Sequence, residues 1–333
     1  MMGVSPLQAS RARGRGPFLG ALGAYGACLA LAGSALATET WRADHMVLDA
    51  ILAGDQVVVA TQSGRVVALA EGAAARELLV IEVPEGQAMP PVVAALALAP
   101  SGRTIAAAST DGLLRFIDLD GRLIRTLERP GLAPIQAAVF LDEHLLLLGD
   151  LRGELALLDL RTDTEAYRRQ LEYDPVYALA LDPSGERAAL GFRSSRIHVV
   201  DVRTGATLTR LDGHTEAVLG LAWLDGNTLV SGGKDKTLRR WDVEAGSHVQ
   251  LHRGDAWVTA VVADPGRGLM AFSTDDDAVI VADASGPITT LTGHTAPVQV
   301  LRFLADGRLL STGYDARVFL RDVPAAQEGS TSP

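Results

Sequence analysis

Three groups of residues in this sequence have types and spacings that could bind a metal ion or transfer a proton. His248 and His252 are four residues apart, which places both imidazoles on the same side of a regular strand. Residues 275–277 are three consecutive aspartates, and oxygen-rich groups of this kind suit calcium. His214 and His294 could each serve as a general base.

The surroundings of the first two groups favour structural roles. His248 and His252 lie in a segment with the pattern of an outer strand, and no third histidine or cysteine lies beside them. Consecutive carboxylates in a tight turn rarely converge on one ion. Residues 275–277 are therefore better explained as one structural turn aspartate with solvated neighbours.

Linear motifs of the common enzyme and cofactor classes are missing from the sequence. We find no Gly-x-Ser-x-Gly elbow, His-Glu-x-x-His helix, phosphate-binding loop or dinucleotide fingerprint in a suitable context. The single cysteine, Cys28, cannot form an internal disulfide, a cysteine-rich zinc site or a haem attachment. The sequence therefore predicts no catalytic residue, no cofactor and no metal ligand.

Composition and charge limit the class of protein further. Hydrophobic residues make up 48% of the 333 residues and charged residues only 21%, which excludes a solvated disordered chain. The 30 basic and 40 acidic residues give a formal charge of -10, and the only lysines are Lys234 and Lys236. A chain with this balance is not expected to bind nucleic acid by neutralising phosphates.

Residues 1–37 have the pattern of a signal peptide. Arg11, Arg13 and Arg15 form a positive region, and a mainly apolar segment of small residues follows over 18–37. The segment ends in Ala35-Leu36-Ala37, which has small side chains at both positions that a signal peptidase reads. We expect cleavage after Ala37 and an exported mature body that does not insert into a membrane, periplasmic if the cell is Gram-negative.

Two alternatives remain for this segment. Cys28 could be acylated, which would make the protein a lipoprotein, although Tyr25 stands where such sites favour an aliphatic residue. An uncleaved anchor is the second alternative, because about 20 predominantly apolar residues can span a bilayer. The many glycines and alanines would make it a weak anchor.

The rest of the sequence repeats with a period of about 41 residues, and such a period decides the architecture. Six segments in register end at an aspartate, with successive separations of 41, 42, 41, 41 and 39 residues. These aspartates are Asp118, Asp159, Asp201, Asp242, Asp283 and Asp322. An earlier, degenerate copy ends at Ala70, 48 residues before Asp118, which makes seven copies.

Each copy contains short apolar runs separated by Asp-Gly, Gly-Gly and similar turn residues, a pattern that predicts four strands. One four-stranded unit cannot bury both of its faces, and seven units arranged around an axis can. The sequence therefore predicts an all-β fold, a seven-bladed β-propeller of four-stranded blades. Copy seven lacks its outermost strand, and residues 38–44, with Trp41, are expected to supply it and close the ring.

This interpretation divides the chain into a signal peptide over 1–37, a propeller over 38–323 and a flexible C-terminal tail over 324–333. The tail is assigned from its small and polar composition. The propeller is expected to be monomeric.

The fifth copy resembles the WD-repeat family. It has Gly213-His214 at its start, Ser231-Gly232 in its middle and Trp241-Asp242 at its end, at the spacing of that family. The seventh copy has Gly293-His294, Ser311 and Asp315, with Arg321 in place of the tryptophan. The other five copies lack most of the signature, and the period extends the resemblance over residues 39–323.

The resemblance implies a structural tetrad in the fifth copy, a hydrogen-bonded chain of His214, Ser231, Asp235 and Trp241. It also implies that the histidines in Gly-His pairs are structural and not general bases. Copies two and six have only the turn aspartates, Asp111 and Asp276, and we expect those blades to close by apolar packing.

The expected interaction surface is the face that carries the turns between the second and third strands and the loops that enter the first strand. Trp257 stands just before a first strand, where other copies have Ala217 or a proline (Pro91, Pro134, Pro175 and Pro297), and it is a candidate anchor for a partner. The turn residues just before the aspartate position are Gln62, Thr110, Leu151, Arg193, Lys234, Asp275 and Tyr314. The predicted partner-binding residues are Met89, Tyr173, Arg193, Glu216, Lys234, Trp257, Asp275 and Tyr314.

These observations favour a non-enzymatic, exported scaffold that binds another protein, within a respiratory or envelope assembly. The alternative is a propeller enzyme of the lactonase or quinoprotein type with a site at the mouth of its channel. Such an enzyme would need convergent polar side chains with shifted pKa values at that mouth.

Overall fold

The computed structural model describes residues 39–128 and 133–324 of the chain. The predicted signal peptide and nearly all of the predicted C-terminal tail lie outside the described residues. No helix long and apolar enough to cross a membrane occurs in the part of the chain that is described.

The described residues form seven four-stranded antiparallel sheets, which are the blades of the propeller. Blade 1 contains β2 (Val47–Ala53), β3 (Gln56–Thr61), β4 (Arg65–Leu69) and β5 (Arg76–Val80). Blade 2 contains β6 (Val93–Leu98), β7 (Thr104–Ser109), β8 (Leu113–Asp118) and β9 (Leu123–Glu128). Blade 3 contains β10 (Ile135–Phe140), β11 (Leu145–Asp150), β12 (Glu154–Asp159) and β13 (Thr164–Gln170). Blade 4 contains β14 (Val176–Leu181), β15 (Arg187–Phe192), β16 (Ile197–Asp201) and β17 (Thr207–Leu211). Blade 5 contains β18 (Val218–Trp223), β19 (Thr228–Gly233), β20 (Thr237–Asp242) and β21 (Ser247–Arg253). Blade 6 contains β22 (Val258–Asp264), β23 (Leu269–Thr274), β24 (Val279–Asp283) and β25 (Gly286–Leu291).

Blade 7 joins the two ends of the described chain. It contains β26 (Val298–Phe303), β27 (Arg308–Gly313) and β28 (Arg317–Asp322), and its outermost strand is β1 (Glu39–Arg42). Trp41 pairs with Val318 in this antiparallel ladder. The predicted seven-bladed fold and its closure by the N-terminal strand are confirmed.

The core of the ring lies between the blades. The innermost strand of each blade contacts the innermost strands of both neighbours, including β26 with β2 across the closure. Seven clusters of buried apolar side chains occur among the described residues, and each combines residues of two adjacent blades. Because both faces of a blade are covered, a central strand such as β7 is an almost uninterrupted buried run.

Polar side chains connect neighbouring blades beside these apolar clusters. On the outer strands, Arg76 donates to the carbonyl of Leu119 at 2.6 Å, and the Tyr167 hydroxyl donates to that of Val202 at 2.7 Å. Arg267 of blade 6 likewise donates to the carbonyl of a residue in blade 7 at 2.6 Å. Each of these bonds reaches the following blade, so they fix the angle between adjacent sheets.

The strand order gives the ring two faces. We call the upper face the one that carries the second-to-third strand turns and the loops that enter each first strand. The lower face carries the first-to-second and third-to-fourth strand turns. Successive strands are antiparallel, so these two sets of connections lie at opposite ends of every blade.

Candidate partner-binding face and the polar networks that support it

The upper face is held by one backbone hydrogen bond that recurs in all seven blades. In each blade, the turn between the second and third strands donates an N–H to the carbonyl just before the first strand, at 2.9 to 3.1 Å. The donors, in blade order, are Gln62, Thr110, Leu151, Arg193, Lys234, Asp275 and Tyr314, and the acceptors are Met46, Val92, Pro134, Pro175, Ala217, Trp257 and Pro297. The side chains at these positions therefore project from a fixed backbone.

The donors are the same turn residues that the sequence repeat predicts. Among the acceptors, the register is wrong by one residue in blade 2, where Val92 and not Pro91 occupies the position of Trp257. The long connection between β5 and β6 contains extra residues, and no turn residue in the sequence marks where they end.

The predicted partner-binding residues all lie in upper-face loops or turns. Tyr173 is 91% exposed, Met89 is 56% exposed and Tyr314 is 40% exposed. The Arg193 side chain is 65% exposed and lies 3.9 Å from the carboxylate of Asp174. Large side chains of this type are enriched at protein interfaces.

Trp257 and Lys234 form a pair on this face. The ammonium group of Lys234 lies 4.7 Å from the centre of the Trp257 ring, within the range of a cation–π interaction. The Trp257 backbone N–H donates to the Asp275 carboxylate at 2.5 Å, and the Asp275 N–H donates back to the Trp257 carbonyl at 3.0 Å. Trp257 is half-buried and anchored at its backbone.

The Asp275 carboxyl group lies in a crowded acidic turn. Burial raises its pKa and nearby Asp276 raises it further, whereas the hydrogen bond from Trp257 lowers it. Burial and the neighbouring carboxylates also raise the pKa of Asp277. Thr274 donates to Asp276 at 2.5 Å, so Asp275 and Asp276 bind separate partners and do not converge on one point.

Blade 5 contains a continuous hydrogen-bonded chain beneath the upper face. The Trp241 indole N–H donates to the Ser231 hydroxyl at 2.7 Å, and this hydroxyl lies 2.6 Å from His214 Nε2. His214 Nδ1 lies 2.9 Å from the Asp235 carboxylate, which can only accept. The arrangement assigns the proton of His214 to Nδ1, with Ser231 donating to Nε2.

The Asp235 carboxylate fastens this chain to two backbone segments. Burial alone would raise its pKa, but hydrogen bonds from His214, the Thr237 hydroxyl and the Thr215 N–H hold the pKa well below its usual value. The side chains of His214 and Asp235 are 0% and 4% exposed. A Cβ at Gly213 would lie 2.5 Å from the His248 ring, so a larger residue there would have to displace that ring.

Blade 7 has the first three members of the same chain without the fourth. His294 Nδ1 lies 3.0 Å from Asp315, and its Nε2 lies 2.9 Å from the Ser311 hydroxyl. The Arg321 side chain stacks at 4.1 Å on the ring of Phe319, and its Nε is buried without a hydrogen-bond partner. Burial lowers the pKa of Arg321 and of His294.

Other blades use polar networks that the repeat signature does not include. In blade 2, Arg115 donates to Asp111 at 2.7 Å and to the Ser109 hydroxyl at 2.5 Å. Blade 2 still packs against its neighbours through apolar side chains, as expected, and Arg115 adds a charged partner for the turn aspartate that the repeat signature does not include.

Blade 4 contains a second such network that the sequence did not reveal. His198 lies on β16, with its side chain fully buried and its Nε2 2.9 Å from Glu172. Burial lowers the pKa of His198. Glu172 comes from the loop that precedes blade 4, so the bond ties that loop to the third strand. The two residues are 26 positions apart, and no periodic signal joins them.

The structure also corrects the expected geometry of His248 and His252. A bulge between the partners of Leu238 and Arg239 interrupts the alternation of β21. His248 lies 4.5 Å from the Trp241 ring of its own blade, whereas His252 lies 5.2 Å from Phe272 of blade 6. The two imidazoles therefore face opposite sides of the strand. Within the described ranges, no group of three His, Cys, Asp or Glu could hold a metal ion.

Comparison with known proteins identifies the repeat. The family model of the WD domain, G-beta repeat, matches residues 205–242 and 285–322. Each match begins at the outermost strand of one blade and ends with the third strand of the next, and the two matches contain the His214 and His294 networks.

Several curated proteins are similar over about half of the chain. Periodic tryptophan protein 2 of Arabidopsis thaliana is 29% identical over 53% of this chain and 20% of its own length. Transcription factor unc-37 of Caenorhabditis elegans is 28% identical over 53% of this chain and 29% of its own length. THO complex subunit 6 of Homo sapiens is 26% identical over 58% of this chain and 62% of its own length. The chain thus spans less than two thirds of each of these relatives.

Proposed function

The chain is a WD-repeat β-propeller, and we propose that it is an exported scaffold that binds another protein through its upper face. Two WD40 matches within a closed ring of seven four-stranded blades support the family. A relative named as a subunit of the THO complex is consistent with a role in protein assemblies.

The observation that carries the proposal is the set of large side chains on the upper face, of which Tyr314 and Trp257 lie at the recurring backbone hydrogen bonds. Tyr173, Met89 and Tyr314 are exposed, and the half-buried Trp257 lies beside Lys234. Aromatic and arginine side chains provide most of the binding energy at protein interfaces. The backbone hydrogen bonds at Tyr314 and Trp257 lower the entropy cost of ordering these two positions on binding.

Export is the second part of the proposal, and it rests on the sequence. The arginines at 11, 13 and 15, the apolar segment and the Ala-x-Ala end support removal of residues 1–37. Amino-terminal sequencing of the protein from its native cell should find Thr38 first. A start at an acylated Cys28 would replace export of a free protein with lipid anchoring.

Site-specific photocrosslinking in the native cell tests the partner-binding face. A photoreactive residue at position 173, on the upper face, should give a discrete crosslinked product with one other protein. The matched control carries the same residue at position 244, an exposed position in the turn between β20 and β21 on the lower face. Equal products from both positions, or a product only from position 244, would contradict the assigned face.

A further inference from the structure

A cavity of about 400 Å³ opens on the lower face at the end of the central channel. Its wall is formed by the ends of the innermost strands β14, β18 and β22 and by the turns that follow them. The lining residues of these three blades are apolar, and they include Leu179, Leu221, Trp223 and Val262. The volume lies in the range of small-molecule sites.

One charged side chain lines this apolar cavity. Arg302, on the innermost strand of blade 7, has a side chain that is 45% exposed, and it lies among the lining residues. Its Nη1 donates to the carbonyl of Leu301 at 3.0 Å. A guanidinium has five N–H donors, so this bond uses a small part of its capacity.

The acidic partner of Arg302 is already engaged elsewhere. Asp49 accepts N–H bonds from Ala50 and Leu96, both at 2.8 Å, one on each carboxylate oxygen. Its distance to Arg302 Nη2 is 3.5 Å, longer than a direct charge-assisted hydrogen bond. Burial raises the pKa of Asp49, and Arg302 and the two N–H groups lower it only in part. Asp49 therefore leaves Arg302 able to bind a second, closer acceptor.

The carboxylates at the rim of the cavity are also paired. Asp182 directly follows β14 and Asp264 is the last residue of β22, and both are next to lining residues. Asp182 binds Arg187 at 3.1 Å, and Asp264 binds Arg267 at 2.6 Å. Their negative charge is balanced locally, so it does not cancel the attraction of Arg302 for an anion.

Two contacts with blade 4 hold Trp223 in the wall of the cavity. The indole N–H of Trp223 donates to the carbonyl of Ala180 at 3.1 Å, which joins blades 5 and 4 at the cavity. The guanidinium of Arg187 lies 5.2 Å from the centre of the Trp223 ring. This part of the wall is therefore preformed and does not have to be ordered when a ligand binds.

We propose that this cavity binds a small amphipathic monocarboxylic acid. Its carboxylate pairs with Arg302, and its apolar body packs against the strand ends of blades 4, 5 and 6. The apolar wall with a single cation is complementary to one negative charge on a hydrocarbon body. The site is on the face opposite to the proposed partner surface, and it does not depend on that surface.

Titration calorimetry of the full chain with octanoate, 1-octanol and acetate tests this site. Octanoate should bind at one saturable site, 1-octanol should bind about tenfold more weakly because it lacks the charge, and acetate should give no measurable binding. Arg302→Gln should lower octanoate affinity about tenfold and leave 1-octanol unchanged. Equal affinities for octanoate and octanol, or no saturable binding of octanoate, would overturn the proposal.

Three further variants test whether changes in octanoate binding arise at this site or from a general effect on the protein. Arg308→Gln removes a lower-face arginine of the same blade that pairs with Asp306 outside the cavity, and it should not change octanoate binding. Asp49→Asn should strengthen octanoate binding, because it removes the competing carboxylate. Ala263→Leu, which places bulk in the lining, should weaken both octanoate and octanol. If Arg308→Gln weakened binding as much as Arg302→Gln, or if Ala263→Leu had no effect, the assigned site would be wrong.

Discussion

Blade 5 and blade 7 contain the same aspartate, histidine and serine network but differ at its fourth member. In blade 5 the Trp241 indole completes the network with a 2.7 Å bond to Ser231. In blade 7 the side chain at that position, Arg321, stacks on Phe319 and leaves its Nε buried without a partner. Both blades form four-stranded antiparallel sheets, although the outermost strand of blade 7 is β1.

The difference shows that a blade can fold without the complete network. Blade 7 folds with an incomplete network, and blades 2 and 4 use unrelated pairs, Arg115 with Asp111 and His198 with Glu172. The common requirement is apolar packing between adjacent sheets, which all seven interfaces have. The network adds stability locally and fixes the loop that enters the blade.

Truncation of the tryptophan in blade 5 should give the largest effect. Trp241→Ala leaves a cavity at a fully buried site and removes the donor to Ser231, and we expect a loss of about 3–5 kcal/mol in the free energy of unfolding. Arg321→Ala in blade 7 is the matched control and should cost less, because it also removes an unpaired buried group. Denaturant unfolding measures both. A larger loss for Arg321→Ala would contradict the roles assigned to the two positions.

Removal of the closing strand should rank second. Deletion of residues 38–44 removes β1 from β28 and uncovers the edge of blade 7. With roughly 1 kcal/mol for each lost ladder bond, the loss should be about 2–4 kcal/mol. The thermal unfolding midpoint should fall, and an unchanged midpoint would mean that β1 contributes nothing to closure.

The two serines offer a more sensitive comparison of the networks. Ser231→Ala leaves both Trp241 and His214 without their partner, whereas Ser311→Ala affects only His294 among the bonds described. Each unpaired buried group costs about 1–3 kcal/mol, so Ser231→Ala should be the more destabilising of the two. Equal losses in denaturant unfolding would show that Trp241 gains nothing from Ser231.

A smaller effect than those of the variants above should appear in the pH dependence of stability, and it should come from His294 in blade 7. Burial holds the pKa of His294 below its ordinary value of 6.5, and Arg321 lowers it as well. As the pH falls below about 6.5, the unfolded chain binds a proton at this position that the folded chain does not bind, so stability is lost. Arg321→Gln should make this loss shallower between pH 7 and pH 5. A steeper loss in that variant would contradict the influence assigned to Arg321.

The repeat was sufficient to predict the architecture, because it consists of local sequence patterns. Turn residues, apolar runs and a period near 41 residues determine four strands per blade, and the missing strand of copy seven indicated where β1 must pair. The sequence also indicated the upper-face turn positions, since these follow the period.

Contacts between distant residues could not be found in this way. The bulge in β21 that separates His248 from His252 changes the register by one residue and has no marker in the sequence. The pairs His198 with Glu172 and Arg302 with Asp49 join residues from different loops or different blades. Such pairs depend on how the ring closes, which a pattern along one strand does not contain.

Quantitative recovery of the partner by variants of the upper face tests the central claim most directly. The claim is that the upper face, built on seven backbone bonds, is the binding surface for a protein partner. Trp257→Ala combined with Arg193→Ala should abolish recovery while the unfolding midpoint stays nearly unchanged. The control, Glu244→Ala combined with Arg203→Ala, changes exposed residues of the lower face and should recover the partner at the wild-type yield. Wild-type recovery by the upper-face variant, or loss of recovery only in the lower-face variant, would contradict the claim.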